Sequence, residues 1–176
     1  GFLETGSDQK IKILNTFKEN DSIIHLIESL PKELDKNFNI RVNKNKRFAC
    51  SSNHTATHLL HQALRNVLGD HVQQKGSMVS DKYLRFDFSH FSRLNEKELE
   101  EIQNFVNQRI MDELEFEENR NSSLKECLDK GVIALFGEKY GDVVRSVKFG
   151  ESYELCGGTH VKNTSQIRSF IITSES

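Results

Sequence analysis

The stretch from Ser51 to Gly69 leaves the chain little choice of conformation. Ala56, Leu59, Leu60, Ala63, Leu64, Val67 and Leu68 recur at i, i+3, i+4 spacing, the period of a helix that buries one face. Ser51, Ser52 and Asn53 offer an N-cap, and Gly69 stops the run. Such a face needs a core to enter, and with 36% hydrophobic residues in 176 the chain can build one. Lys+Arg 24 against Asp+Glu 26 gives a net charge of −2, which excludes a polybasic arm or a disordered tail. No run approaches the roughly 18 apolar residues of a membrane span, and no charged-then-apolar leader opens the chain. It begins Gly-Phe-Leu and stops after Ile-Ile-Thr-Ser-Glu-Ser, so the expectation is a cytoplasmic piece of a longer protein, with no membrane partner.

Around that helix the pattern is mixed. Lys10–Leu14 and Ser22–Leu30 read as short strands, separated by the turn signal Glu19-Asn20-Asp21 and followed by the only proline, Pro31. A basic knot follows at Arg41, Lys44, Lys46 and Arg47, either a solvated loop or a phosphate contact. A domain boundary is placed near residue 50. Beyond the helix, Tyr83–Phe88 alternates, with Leu84, Phe86 and Phe88 on one face and Tyr83, Arg85 and Asp87 on the other. A second helix is capped by Asn95 with Glu98 three residues on, and carries Leu99, Ile102, Val106 and Ile110. A short helix near Ser122–Lys130, a strand near Val143–Phe149 and a last strand at Ser169–Thr173 complete the pattern. Helices and strands do not alternate regularly, so the fold class is α+β, an antiparallel or mixed sheet packed with helices and preceded by a small β segment.

The chemistry gathers in two short motifs. His54 and His58 lie four apart on the first helix and project from one face, together with His61 and Arg65 and opposite the apolar stripe. Alone, His54 and His58 read as a pair of surface histidines. Cys156-Gly157-Gly158-Thr159-His160 joins a thiol and an imidazole by a glycine turn that lets both aim at one point. Three cysteines, an odd number, beside seven histidines fit a reduced compartment and a metal better than a disulfide scaffold. The donor set His54, His58, Cys156 and His160 suits tetrahedral Zn²⁺, one per chain. His160 either ligates or stands beside the metal, and the metal is structural, catalytic or both. His54-Thr-Ala-Thr-His58 lacks the glutamate that zinc proteases place after the first histidine, so that chemistry is excluded. Cys50 and Cys127 have no such partners and read as structural.

Gln74 shares a strand face with Val72 and Met78, which aims its amide at the apolar side, where a substrate group can be its partner. A register shift at Gly76 would instead put it at the surface. Arg85 and Asp87 form either a structural ion pair or substrate contacts, and Gly157 and Gly158 are further candidates for binding the substrate.

Together the segments Asn53–His61, Val72–Ser77, Leu84–His90, Ala134–Tyr140 and Cys156–His160 resemble, in order, the editing domain of the alanyl-tRNA synthetases. The resemblance covers residues 50–176, while residues 1–49 look like the incomplete tail of the β-barrel-like subdomain that precedes it. It implies zinc at His54, His58, Cys156 and His160, with Gln74 in the editing pocket. It also implies hydrolysis of tRNA(Ala) mischarged with serine or glycine, with the missing domains of the parent synthetase as partners. ATP-dependent alanine ligation would belong to those missing domains. The near-neutral charge predicts weak tRNA binding by this segment alone. Rival readings are a freestanding editing hydrolase, the threonyl-tRNA synthetase editing domain, and a binding module whose zinc is purely structural.

Overall fold

The computed structural model describes residues 1–4, 9–134 and 140–176, and the chain divides into two compact units, Gly1–Arg47 and Phe48–Ser176. Most of the Ala134–Tyr140 motif, residues 135–139, lies outside the described residues. Among the described residues no helix is long and apolar enough to cross a membrane.

The first unit is an antiparallel sheet of order β3-β2-β1-β4, built from β1 (Phe2–Glu4), β2 (Lys10–Glu19), β3 (Ser22–Ile27) and β4 (Asn39–Arg41). β2 runs past the expected Leu14, because Thr16 and Phe17 are good strand formers and pair with His25 and Ile24. The hairpin turns at Asn20 with φ 54°, a left-handed conformation that Asn tolerates. Leu3 and Ile11, opposite one another across β1 and β2, are its buried aliphatic pair.

Helix α1 (Lys44–Leu68), most of which lies in the second unit, starts earlier than the sequence suggested. Its first turn is capped by Asn43, whose Oδ1 accepts from the Lys46 N–H at 3.0 Å. Ser51, Ser52 and Asn53 are capping types inside the helix, and Asn53 uses its amide to reach the Ser80 carbonyl at 2.9 Å. Lys44, Lys46 and Arg47 are therefore helical and not part of a loop, although all are exposed. The reading of His58 and His61 as lying away from the core, opposite the aliphatic stripe, fails as well. They are 4% and 2% exposed, because the face opposite the aliphatic stripe is also covered.

A hairpin of β5 (Gln74–Val79) and β6 (Leu84–Phe88) follows, then α2 (Glu96–Met111) with the complete capping box of Asn95 and Glu98. The last sheet is antiparallel, in the order β7 (Glu117–Ser123), β8 (Val143–Phe149), β9 (Ser152–Leu155), with α3 (Leu124–Asp129) between β7 and β8. Leu59, Ala63 and Leu64 of α1, Ile102, Val106 and Ile110 of α2, and Val147 and Phe149 of β8 form the main core. Cys127 is buried in a smaller cluster with Val132, Val144 and Leu155. No strand forms at Ser169–Thr173. The backbone of Phe170 bonds both ways to the Asn107 amide, at 2.8 and 2.9 Å, and the Ile172 N–H donates to Gln103 Oε1 at 2.9 Å. Side chains of α2 satisfy this segment, so it needs no sheet.

Candidate metal centre

Two elements converge. α1 presents His54 and His58 one turn apart, and the turn after β9 presents Cys156 and His160. One ligand atom from each of the four lies within 4.8 Å of all the others. Cys156 Sγ is 3.5 Å from His54 Nε2 and 3.4 Å from His160 Nε2. A tetrahedron with Zn–S of about 2.3 Å and Zn–N of about 2.0–2.1 Å has S···N edges of about 3.6 Å, so these separations fit such an ion. The glycine turn has a steric role that its sequence did not reveal. A Cβ on Gly158 would lie 1.9 Å from His54 Cε1, whereas at Gly157 it would meet nothing within 4 Å. Gly158 lets the ring of His54 lie against the backbone, and Gly157 is exposed.

The turn is pinned from below. Arg145 of β8 donates from Nη1 to the carbonyls of Cys156 and Gly158 at 2.8 and 2.7 Å, and from Nε to Glu118 at 2.8 Å. His160 Nδ1 lies 3.2 Å from the Thr55 hydroxyl, which also accepts the Val161 N–H. That contact fixes the ring with Nε2 toward the thiol. Phe116 and Phe149 wall the ring of His160, each with centroids 5.8 Å away.

Burial keeps these imidazoles neutral, helped by repulsion from the other histidines. The pKa falls to about 4 for His54 and to about 2 for His160, and that of His58 is also lowered. A neutral imidazole has a free lone pair, the form a metal requires.

Sequence reasoning missed Glu154, Arg145 and Thr55, and placed His61 wrongly. Thr55 lies inside the histidine motif. Glu154 stands two residues before Cys156 on a strand that was not foreseen, and a single sequence carries no sign that its carboxylate is buried.

The other candidates sit elsewhere. Gln74 is half-buried opposite Phe88, and its Nε2 lies 3.4 Å from Ser77 Oγ. A bulge between Gln74 and Gly76 does shift the register. It puts Met78 opposite Arg85 and leaves Gln74 and Ser77 opposite Phe88 and Phe86, so Gln74 and Met78 do not share a face. Phe86 packs on His61 with ring centroids 5.3 Å apart, which turns that hairpin face toward α1. Arg85 and Asp87 bond to each other through two hydrogen bonds of 3.0 and 3.1 Å, and Gly76 leaves room for the Asp87 carboxylate. Arg41 pairs with Glu4.

Residues 144–176 match the domain family described as the Threonyl and Alanyl tRNA synthetase second additional domain. Proteins named alanine–tRNA ligase are similar along the chain. That of Christiangramia forsetii is 56% identical over 176 residues, that of Flavobacterium psychrophilum 54% over 167 and that of Cytophaga hutchinsonii 52% over 171. These alignments cover 95–100% of this chain but only 19–20% of each relative. Along its whole length the chain is thus similar to proteins named alanine–tRNA ligase, and it spans about a fifth of the length of those relatives.

Proposed function

We propose that this chain is the zinc-dependent editing segment of a cytoplasmic alanyl-tRNA synthetase, which hydrolyses the ester joining serine or glycine to tRNA(Ala). The observation that carries the reading is the four-donor cluster of His54, His58, Cys156 and His160, of tetrahedral size, in a chain whose relatives are named alanine–tRNA ligases. A synthetic pocket shaped for alanine cannot exclude glycine, and discriminates against an added hydroxyl by only about 1–3 kcal/mol, so a second, hydrolytic sieve is needed.

His54, His58, Cys156 and His160 hold the ion, and the Thr55 hydroxyl and the Arg145 guanidinium hold the last two of these in place. Bound zinc supplies a Lewis acid at the site. Gln74 and Ser77, polar groups on the hairpin face that also carries Phe86 and Phe88, orient the hydroxyl or carbonyl of the misacylated residue. Lys44, Lys46 and Arg47 crowd three cations onto the first turn of α1, a turn that contains no acidic residue and lies at the positive end of the helix dipole. A phosphate of tRNA relieves that repulsion. With a net charge of −2 the segment captures tRNA weakly without the parent's other domains.

The test is deacylation of seryl-tRNA(Ala), with zinc measured on the same sample. Hydrolysis with about one zinc per chain supports the reading. Zinc without hydrolysis, even at high protein concentration, would leave a structural metal and overturn it. Cys156→Ala should lose zinc and hydrolysis together.

A further inference from the structure

Glu154 is the most deeply buried acidic side chain described, 5% exposed, and its ion-pair contacts are both with histidines. Oε1 accepts from His61 Nδ1 at 2.9 Å. Oε2 lies 3.2 Å from Nδ1 of His58, a nitrogen that is buried and makes no aligned hydrogen bond. Burying a carboxylate without a fixed positive charge nearby is costly. The neighbouring donor cluster makes sense of it. Zn²⁺ with three neutral imidazoles and one thiolate retains one positive charge in a largely enclosed site. One carboxylate in contact with a ligand cancels it.

We propose that Glu154 is the positioning residue and counter-charge of the metal centre, turning His58 so that Nδ1–H faces the carboxylate and Nε2 is presented to the metal. His61, held between Oε1 and the ring of Phe86, fixes the carboxylate from the other side. The centre then has an outer partner on each of two imidazoles, Thr55 on His160 and Glu154 on His58. This inference rests on the metal reading above, and the experiment separates their failures.

Zinc affinity of the whole chain is measured by competition with a chromogenic chelator, for the native protein and for Glu154→Gln. Glutamine can still accept from His61, so packing is kept while the charge is lost. The expected result is affinity weakened about 10- to 100-fold with unchanged secondary structure by circular dichroism. Equal affinity in a folded Glu154→Gln protein overturns the role of Glu154, whereas failure of the native chain to bind zinc overturns the metal reading itself. Should Glu154→Gln not fold, nitrogen-15 histidine spectra of the zinc-loaded native chain decide. A proton on Nδ1 of His58 with the metal on Nε2 supports the proposal, and the metal on Nδ1 overturns it.

Discussion

The two units of this chain solve the problem of stability in opposite ways. Among its described residues the segment 1–47 places Leu14, Phe17, Ile23 and Leu26 at the surface and buries little beyond Leu3, Ile11 and Pro31, so its sheet is held by strand pairing and by the turn at Asn20. Residues 48–176 close a core from three directions, and the metal-ligand turn is built onto its edge. Local chemistry shapes the first and long-range burial the second. Only the second holds side chains still enough to fix four donors within a metal's reach.

The largest effect should follow from emptying that core. Phe149 is fully buried, packs on Phe116 and borders His160. Phe149→Ala is expected to destabilise the second unit by about 3–5 kcal/mol. Residue-resolved hydrogen exchange should show protection lost in α2 and β8 while the β2–β3 amides are little changed. Equal losses in both would mean one cooperative unit and break the contrast.

Acidification of the metal-free chain should act nearly as strongly, and on the second unit alone. His54, His58 and His160 have folded pKa values below their ordinary 6.5, so unfolding takes up protons as the pH falls below that value. Stability present above pH 6.5 is lost on the way down to pH 4, by at most about 1.4 kcal/mol per pH unit for buried His58 and by less for half-buried His54 and His160. Urea unfolding between pH 7 and pH 4.5 reads this slope, and a flat profile would contradict the burial of these rings.

Within the ligand turn, two adjacent glycines should behave differently. Gly158→Ala forces a methyl into the ring of His54 and should weaken zinc binding by about 100-fold, some 2.7 kcal/mol. Gly157→Ala meets open space and should cost no more than about 0.5 kcal/mol. Chelator competition on the two variants checks the pair, and similar losses would show that the turn needs glycine for its backbone and not for space.

The same contrast governs what the sequence disclosed. Features decided within a few residues were readable: the Asn95–Glu98 capping box, the alternation of β6, the Asn20 turn, and donors whose types and spacing belong together. Features decided by distant neighbours were not. The true start of α1 was hidden because Ser51–Asn53 look like a cap, and Asn53 is instead engaged by Ser80 across 27 positions. The face of Gln74 turned on a bulge, and the strand expected near Phe170 gave way to bonds from Asn107 and Gln103. Burial of His58 and His61 depended on Glu154, about a hundred residues downstream.

The smallest predicted effects compare one local device in each unit. Asn95 caps α2 by accepting the Glu98 N–H at 3.0 Å, and Glu98 returns a bond to the Asn95 N–H at 2.9 Å. Asn95→Ala removes one of these and should cost about 1 kcal/mol, seen as a lower urea midpoint for the second unit. Asn20→Gly replaces a residue that tolerates φ 54° with one that adopts it without strain, at the expense of a more flexible unfolded chain. These terms oppose each other, so protection of the β2–β3 amides should change by only a few tenths of a kcal/mol. Asn20→Val should lower it by about 1–2 kcal/mol, since a β-branched side chain resists the left-handed region. In a sheet with so few buried side chains, that loss should release the whole hairpin, whereas loss of the Asn95 cap should fray only the first turn of α2.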